Sequence, residues 1–553
     1  MAKWWQDRVV YQIYPRSFQD TNGDGIGDLP GIIMHLDELK DLGIGVIWLS
    51  PVYPSPNADN GYDISDYCGI HPEYGTMAEM DMLIEEAAKR DIKIIMDLVI
   101  NHTSDEHTWF QHSRDKDSPY RDYYIWRPGK EGRLPNNWTS FFGEDCWEYD
   151  EKSGEYYLHL FAKKQPDLNW HNPKVLAEIK NIMRFWLDKG IAGFRCDVIN
   201  ILYKNTLDDG VKKIALTGSE HYLSQKGTHD ILRTLRRDVL EHYDCFTVGE
   251  TVFVTPEIAH ELCGEDRHEL DMVFSFEHME TDQFLVKWFK RRFHAGRFAA
   301  AIAKWQKALA WNANYLENHD QPRSVSRFGD DSRNWAQSAK LLCTLLLTLR
   351  GTPFIYQGQE IGMTNFDFKG MDQIQDVESH NIYQLAKRLH FPSGLRWRMI
   401  KASSRDNART PVQWNDSPNA GFTTGVPWLG INRNYGRINI ASQINDPDSV
   451  RSFYKTMISL RAGSEVLKYG SFEPVIIKKH LFIYKRELNS ENLIIALNFS
   501  GNMQKVSINL SESFTQDVRS LSLILSNYER EAFDGLLNPY EALILRWDKN
   551  SRN

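Results

Sequence analysis

Apolar runs and amphipathic segments alternate along most of the chain. Eight short apolar runs have the length and the β-branched and aromatic content of buried strands. They are VVYQIYPRSF (9–18), GVIWLSPVY (45–53), KIIMDLVINH (93–102), GFRCDVIN (193–200), FTVGETV (246–252), MVFSFEH (272–278), NYLENHD (314–320) and PFIYQGQEIG (353–362). They lack strict alternation of apolar and polar positions, which is typical of parallel strands buried on both faces.

Helical segments lie between most of these strands. Segment 30–43 has proline at its start, glycine at its end and one apolar face, and it predicts a single helix. Thr76 with Glu79 forms a capping box for the next helix, and segment 172–190 starts with Asn-Pro and ends with glycine. Eight such β/α units predict an α/β fold, a (β/α)8 TIM barrel. The competing arrangement is a doubly wound open sheet, which usually has fewer strands and a phosphate loop after the first.

Two regions do not fit the repeating β/α pattern. Residues 103–171 are too long and too aromatic for a simple loop, and they predict an inserted subdomain after strand 3. Residues 475–553 contain short alternating strands separated by turns, which predict a C-terminal antiparallel β domain, a β-sandwich. The barrel itself is then expected to comprise residues 1–102 and 172–474.

Composition and charge exclude several classes of protein. The net charge of −9 over 553 residues is spread along the chain, which argues against a nucleic-acid partner, and aromatic residues reach 12%, which suits the binding of sugars. The most apolar run, LLCTLLLTL (341–349), is too short to span a membrane and predicts a buried helix. The N-terminus lacks the features of a signal peptide, and the six cysteines are scattered without paired spacing. We therefore expect a cytoplasmic monomer with reduced thiols and no membrane partner.

Ionisable residues gather at the carboxyl ends of the predicted strands, where TIM barrels carry their active sites. They are Asp97 and His102 on the third strand, Arg195 and Asp197 on the fourth, Glu250 on the fifth, and His319 and Asp320 on the seventh. Any one of them could be an internally paired buried charge. Four strands with ionisable groups at the same end are harder to explain in this way, because several desolvated charges would then need partners.

Three converging carboxylates, without a Ser-His-Asp pattern or zinc-type spacing, indicate glycosyl transfer. Arg195 and Asp197 are two residues apart, so on a strand both side chains point to the same side. The guanidinium would keep Asp197 ionised as the nucleophile. Glu250, on a strand with fewer cations nearby, would then be the acid/base, and Asp320 would stabilise the oxocarbenium-like transition state. The intervening Cys196 is expected to face away from the barrel interior and to serve only in packing.

Several segments resemble the α-amylase superfamily, glycoside hydrolase family 13. DLVINH (97–102), GFRCDVIN (193–200), VGET (248–251) and NHD (318–320) resemble its four signature regions, and QPDLN (165–169) is similar to the fifth region of its oligo-1,6-glucosidase subgroup. The likeness covers almost the whole chain, including NGYDISDY, QGQEIGMTN and SRDNARTPVQW. It implies an α-retaining double displacement with the same three carboxylates in the same roles.

The resemblance also implies substrate-binding residues. Asp63 is similar to the aspartate that holds the non-reducing glucose together with an arginine, and Arg409 resembles that arginine, with Arg405 as the alternative. Such a bidentate pair would block the pocket and give exo action. The other expected contacts are stacking of Tyr62 on the glucose ring, for which ordinary packing is the alternative, and polar contacts from His102, His319 and Arg195.

The loop DTNGDGIGD (20–28) places hard oxygen donors at alternating positions between glycines, which suits Ca²⁺. The donors are Asp20, Asn22, Asp24, the carbonyl of Ile26, and Asp28. The loop is not an EF-hand, because Gly31 occupies the twelfth position, and it lacks the last glycine of a dinucleotide loop. A polar turn held by side-chain hydrogen bonds is the alternative. The resemblance implies one structural Ca²⁺ here, and no organic cofactor is expected.

The bond that is cut is suggested by Val198, directly after the nucleophile. Members of the family with valine there tend to act on α-1,6 bonds, and members with alanine or threonine on α-1,4 bonds. A β-branched side chain at this place could narrow the mouth of the acceptor subsite. We therefore expect an exo-acting α-glucosidase that cleaves α-1,6 bonds of short α-gluco-oligosaccharides such as isomaltose and panose.

The fifth strand departs from the subgroup, because GETVFVT (249–255) stands where GEMPGVT is usual. Thr251, Val252 and Phe253 are expected to border the leaving-group site, and Phe253 could favour a compact leaving group such as glucose or fructose. The alternatives are α-1,4 or sucrose-directed α-glucosidase activity, a sucrose isomerase, a trehalose-6-phosphate hydrolase and an inactive sugar-binding relative. SRFGDDSRNWAQ (326–337) does not resemble the arginine-rich loop of the isomerases, GETVFVT offers no basic residue for a phosphate, and all three carboxylates are present.

Overall fold

The computed structural model describes residues 2–213, 215–506 and 521–547. Eight parallel strands close into a barrel in chain order, with the last strand paired to the first. They are β1 (Val10–Ile13), β2 (Val46–Leu49), β3 (Lys93–Leu98), β4 (Gly193–Cys196), β5 (Phe246–Glu250), β6 (Met272–Phe274), β7 (Ala313–Asn314) and β8 (Thr352–Tyr356). The predicted TIM barrel is confirmed. Its strands are shorter than the apolar runs, so most of the polar residues lie just beyond the strand ends.

Helices follow each strand and cover the outside of the barrel. The α-helices are Leu29–Met34, Leu36–Leu42, Met77–Lys89, Thr108–Ser113, Pro173–Asp188, Lys226–Asp238, Pro256–Cys263, Ala295–Ala308, Ser324–Phe328, Trp335–Thr348, Val377–Arg388, Ser393–Ser403, Asp406–Arg409, Ile440–Ile444, Val450–Ala462 and Glu465–Tyr469. The capping box of Thr76 and Glu79 is present, and the apolar run 341–349 lies largely in a buried helix. No helix within the described ranges is both long enough and apolar enough to cross a membrane.

The prediction of one helix over residues 30–43 was wrong. Two helices form instead, because His35 leaves helical geometry at φ −103° and ψ 10°. Its ring stacks on Trp414, with 3.5 Å between ring centroids and 10° between planes, and meets the edge of Phe18. This contact with a distant part of the chain could not be inferred from local periodicity.

The insertion between β3 and β4 contains a small antiparallel sheet, with the strand Glu155–Leu158 between Trp126–Arg127 and Trp147–Asp150. Its apolar cluster includes Trp138, Trp147 and Leu158, and it also takes in Val198 from the loop after β4. The insertion therefore packs directly against the segment that carries the predicted nucleophile.

The C-terminal region forms a five-stranded antiparallel sheet, as predicted. Its strands are β9 (Ser471–Ile477), β10 (Leu481–Leu488), β11 (Glu491–Asn498), β12 (Ser522–Ser526) and β13 (Ala542–Arg546), in the order β9-β10-β11-β13-β12. A second pair, Gln504–Lys505 with Leu536–Leu537, lies beside it. The sheet begins at Ser471, slightly before the expected boundary at 475. Of the predicted domain, residues 507–520 and 548–553 lie outside the described residues.

Candidate active site

Arg195 lies at the centre of a carboxylate cluster at the carboxyl end of the barrel. Its Nη1 donates to Asp97 Oδ1 and Asp197 Oδ1, each at 2.5 Å, and its Nη2 donates to Glu250 Oε2 at 2.6 Å. Arg195 and Asp97 are almost fully buried, whereas the side chains of Asp197 and Glu250 are 9% and 12% exposed. Asp97 is therefore a structural partner of Arg195, and the two accessible carboxylates are the ones that can meet a substrate.

The position of Arg195 is fixed by its neighbours in the barrel. β4 begins at Gly193, where a Cβ atom would lie 1.9 Å from the Phe246 carbonyl oxygen, so only glycine allows β4 and β5 to pair this closely. The guanidinium lies 5.3 Å from the Trp48 ring centroid, and Trp48 Nε1 donates to Asp97 at 2.8 Å. Cys196 is buried in the main hydrophobic core of the protein, as expected for a packing residue.

The two accessible carboxyl groups differ in acidity. Burial raises the pKa of Asp197 to about 6, although Arg195 lowers it, and burial raises the pKa of Glu250 to about 7, with further increases from Asp197 and Asp320. One ionised and one protonated carboxyl group, close together, suit a nucleophile and an acid in a retaining glycosidase.

One argument for these roles was wrong. Glu250 is not remote from cations, since it accepts a hydrogen bond from the same guanidinium as Asp197. Burial raises both pKa values, and the repulsion that Asp197 and Asp320 exert on Glu250 raises its pKa further. Sequence spacing showed that Arg195 and Asp197 would meet, but it could not show that β5 brings Glu250 to the other nitrogen of the guanidinium.

Val198 has an unusual backbone conformation, φ 34° and ψ 42°, which is in the left-handed region and unfavourable for a β-branched residue. In this conformation its N–H donates to Glu250 Oε2 at 3.3 Å, while its side chain packs in the apolar cluster of the insertion. The backbone contact with the predicted acid/base was not anticipated.

Asp320 lies among cations and is the most exposed of the three carboxylates, at 27%. Burial works against its ionisation, but His319, Arg405 and Arg409 together hold its pKa well below the usual range. Arg409 Nη2 donates to Asp320 at 2.8 Å, and His319 Nε2 lies 3.1 Å from the carboxylate. A permanently ionised carboxylate at this place can stabilise a positively charged transition state.

One buried donor beside Asp320 has no hydrogen-bond partner among the described residues. It is Arg409 Nη1, the guanidinium nitrogen that does not reach Asp320. Buried polar atoms are rarely left unpaired unless they bind a ligand or a water molecule. This atom is itself shielded from solvent, so the substrate-binding role expected of Arg409 stays a prediction.

The expected pairing of Asp63 with Arg409 is not formed. Asp63 is fully buried and accepts hydrogen bonds from the backbone N–H groups of Ala58 and Asp59, at 2.8 and 3.0 Å. The arginine–aspartate pair of the pocket consists instead of Arg405 and Asp59, whose Nη2 and Oδ1 atoms are 3.0 Å apart. NADNGYD contains two candidate aspartates four residues apart, and only the folded loop shows which one reaches the arginine.

Asp376 also binds the Arg405 guanidinium. Arg405 Nε donates to Asp376 Oδ1 at 2.8 Å, and Arg405 Nη1 lies 3.5 Å from Asp320. The ring of Phe142, from the insertion, lies 5.7 Å from the guanidinium. Arg405 thus contacts the insertion, the loop after β2 and Asp320, the predicted transition-state stabiliser, which no spacing in the sequence could indicate.

Tyr62 and His102 lie at the same end of the barrel. The Tyr62 ring stacks on His319, with centroids 5.2 Å apart and planes 3° apart. His102 Nε2 lies 3.1 Å from both the Tyr62 carbonyl oxygen and Gln165 Nε2. This nitrogen is thus occupied by protein atoms, and the predicted contact of His102 with substrate stays a prediction. Gln165, from QPDLN, also reaches Asp59 at 3.4 Å and was not predicted individually.

The loop 20–28 folds as a series of side-chain-to-backbone hydrogen bonds. Asp20 accepts from three backbone N–H groups, Asp28 caps the helix Leu29–Met34, and Asn22 and Asp24 each accept from the residue two positions on. Within the described ranges, no three acidic, histidine or cysteine side chains are arranged to hold a metal. The carboxylate oxygens retain further lone pairs, so the donor set remains chemically suited to Ca²⁺. Calcium binding stays a prediction.

Residues 12–470 match the family model described as the catalytic domain of alpha-amylase. The chain belongs to the α-amylase family. It is also 50% identical to an oligo-1,6-glucosidase of Parageobacillus thermoglucosidasius over 98% of this chain and 99% of that one.

Two solved structures superpose on nearly the whole chain. A trehalose-6-phosphate hydrolase of Bacillus licheniformis has a TM-score of 0.93 at 42% identity, covering 99% of this chain and 100% of that one. An isomaltulose synthase of Erwinia rhapontici NX5 has a TM-score of 0.94 at 43% identity over 99% of both chains. The fold thus accommodates more than one reaction, and the choice among them depends on the site.

Proposed function

We propose that the protein is an exo-acting, retaining α-glucosidase that hydrolyses α-1,6 bonds at the non-reducing end of short isomalto-oligosaccharides. Asp197 attacks the anomeric carbon while Glu250 transfers its proton to the departing glycosidic oxygen, which gives a covalent glucosyl-enzyme. Glu250, now ionised, takes a proton from water, and the resulting hydroxyl displaces Asp197 and releases α-glucose. Asp320 stabilises the positive charge that develops on the ring in both steps.

The observation that carries this proposal is the single guanidinium of Arg195, which binds Asp197 and Glu250 at 2.5 and 2.6 Å. It holds the two carboxyl groups close together, whereas an inverting enzyme separates them to admit a water molecule between acid and base. The burial that raises the pKa of Glu250 to about 7 keeps the acid protonated near neutral pH.

Exo action is supported by the pair formed by Asp59 and Arg405. Both side chains are buried, and Arg405 also lies 3.5 Å from Asp320. A glucose unit next to Asp320 would therefore meet a closed end, with charged groups available to its hydroxyls. The preference for α-1,6 bonds is supported by the relatives named oligo-1,6-glucosidase and by Val198 at the expected position.

A rate panel tests the proposal directly. We would measure kcat/KM for isomaltose, isomaltulose, panose, maltose, sucrose and trehalose 6-phosphate, and follow the first-formed anomer by NMR. We expect isomaltose to be cleaved faster than maltose, and α-glucose to appear first. Faster cleavage of maltose would contradict the α-1,6 preference, β-glucose would contradict retention, and conversion of sucrose into isomaltulose would indicate the isomerase alternative.

We also propose a structural Ca²⁺ in the loop 20–28, a monomeric state and a cytoplasmic location. Support for Ca²⁺ comes from five hard oxygen donors on one short loop far along the chain from the carboxylates. Chelation should lower the melting temperature, and added Ca²⁺ but not Mg²⁺ should restore it. Light scattering should give the mass of one chain, and fractionation of the source cells should place the protein in the cytoplasm.

A further inference from the structure

The segment after the predicted acid/base, Thr251 to Phe253, lies at the rim of the barrel and is hydrogen-bonded to both neighbouring strand ends. Thr251 Oγ1 donates to the Phe274 carbonyl oxygen at the end of β6, at 3.0 Å. The next residue, Val252, is tied to the other neighbouring strand end through Asn200, in the loop after β4. The segment is therefore fixed on both sides of β5.

Asn200 makes this connection with both ends of its amide. Its Oδ1 accepts from the Val252 N–H at 3.0 Å, and its Nδ2 donates to the Val252 carbonyl at 2.9 Å and to Ser224 Oγ at 3.1 Å. Asn200 is fully buried, whereas its partners Val252 and Ser224 are partly exposed. An amide that mimics a neighbouring strand in this way fixes both the position and the direction of the backbone at Val252.

Phe253 follows immediately and has two features that oppose stability in an isolated protein. Its φ is +53°, in the left-handed region that large side chains rarely adopt, and its side chain is left 61% exposed. Single exposed apolar residues are common on protein surfaces. Backbone outliers concentrate at functional sites. Leu285 also combines a positive φ with an exposed apolar side chain, so Phe253 is distinguished by its place beside Glu250 as well.

The place of Phe253 relative to the reacting bond follows from the chain. It lies three residues after Glu250, so their Cα atoms are at most about 11 Å apart. Glu250 must protonate the oxygen that joins glucose to the leaving group, so the leaving group begins on the side of Glu250 that faces the rim. In the proposed function, the pair of Asp59 and Arg405 closes the end of the site that binds the glucose unit, which leaves the rim for the second unit.

We infer that Phe253 is the platform on which the leaving-group sugar stacks, and that Asn200 holds this platform in position. The inference rests on the proposed α-glucosidase activity and adds a residue that discriminates between leaving groups. An aromatic ring offers a flat apolar face to the C–H face of a pyranose, and aromatic side chains commonly line such sites. It favours a leaving group with a ring over one without.

The test compares two substrates that share the glucosyl group and differ in the leaving group. Isomaltose releases glucose as its leaving group, whereas α-glucosyl fluoride releases fluoride, which cannot stack on a ring. For Phe253→Ala, we expect the ratio of kcat/KM for isomaltose to that for α-glucosyl fluoride to fall about tenfold. Phe253→Trp should keep the ratio within about twofold, and Val426→Ala, at another exposed apolar residue, should leave it unchanged.

The role of Asn200 is tested in the same ratio. Asn200→Leu removes the three side-chain bonds and should lower the ratio nearly as far as Phe253→Ala, and the double variant should lie close to either single one. Asn200→Asp keeps the acceptor for the Val252 N–H and should give an intermediate ratio. It provides the test of Asn200 if the leucine variant does not fold. A purely structural role would lower both rates together and leave the ratio unchanged.

The outcomes separate this inference from the proposed function. An unchanged ratio in Phe253→Ala, or equal losses on both substrates, would overturn the platform. Additive effects of the two substitutions would overturn the positioning by Asn200. If the unmodified protein cleaved neither substrate, the α-glucosidase proposal itself would fail, and the inference would fall with it.

Discussion

Replacement of Arg195 by methionine tests the electrostatic design of the site. Arg195 is the common partner of Asp97, Asp197 and Glu250, and each of these carboxyl groups has a pKa raised by burial and lowered by the guanidinium. Methionine fills a similar volume without charge. We therefore expect the pKa values of Asp197 and Glu250 to rise together.

The size of the shift can be worked from the distances. Charge centres about 4 Å apart interact by roughly 4 kcal/mol at an effective dielectric constant near 20. This would correspond to a pKa shift of about 3 units, and opposite charges at this range commonly shift a carboxyl pKa by about 1–3 units. The pKa of Asp197 would then move from about 6 to roughly 7–9. Near pH 6.5 most of the nucleophile would be protonated, which lowers the rate by about threefold at the lower end of this range and by about two-hundredfold at the upper end.

The assay is the pH dependence of kcat/KM on isomaltose for the unmodified protein, Arg195→Met and Arg195→Lys. In the methionine variant the whole bell-shaped profile should move to higher pH, so part of the activity returns at pH 8–9. Lysine keeps the charge but cannot bridge two carboxylates, so it should move the profile less while still lowering kcat.

Stability must be measured alongside the rates. The loss of one partner from a buried charge cluster costs about 3–5 kcal/mol, a large share of a typical folding free energy. Circular dichroism and thermal melting would show whether Arg195→Met is folded under assay conditions. If the methionine variant is folded and its kcat/KM profile keeps the apparent pKa values of the unmodified protein, the claim that Arg195 holds the nucleophile ionised is refuted.

Further substitutions probe the other groups. The unmodified protein should show a bell-shaped kcat/KM profile with apparent pKa values near 6 and 7 that belong to the Asp197–Glu250 pair, and a profile flat from pH 5 to 8 would contradict this. Glu250→Gln should lower kcat on isomaltose about a hundredfold or more, yet accumulate a glucosyl-enzyme from α-glucosyl fluoride that mass spectrometry detects as an added glucosyl group. Asp59→Ala should raise KM for isomaltose about tenfold because Arg405 loses a partner, whereas an unchanged KM would show that the pair does not contact glucose. Val198→Thr should raise the rate on maltose relative to isomaltose, and a constant ratio would refute its role in linkage preference.

The barrel and the three carboxylates could be predicted because each depends on a local pattern. Burial on both faces makes the parallel strands continuous apolar runs, and their ends coincide with the polar residues Asp197, Glu250 and Asp320. The contact between Arg195 and Asp197 also follows from spacing, since two residues along a strand return to the same side. These features need no knowledge of how distant segments meet.

The features that sequence analysis missed all depend on contacts between segments that are distant in the chain. The break at His35 arises from stacking on Trp414, nearly 380 positions later in the chain. The pairing of Asp59 with Arg405 depends on how two loops approach, and sequence resemblance pointed to Asp63 instead. In each case the local sequence is compatible with the wrong answer, and a tertiary contact decides.

Val198 shows how the two kinds of information combine. The sequence singles out its side chain, whereas the structure adds a left-handed backbone whose N–H reaches Glu250 at 3.3 Å. Such strain persists only where the surroundings fix it, and here the apolar cluster of the insertion holds the side chain. A smaller or more polar residue would loosen this hold and free the N–H from Glu250. Linkage preference and the alkaline limb of the pH profile should therefore change together on substitution. If only the preference changed, Val198 would act through its side chain alone.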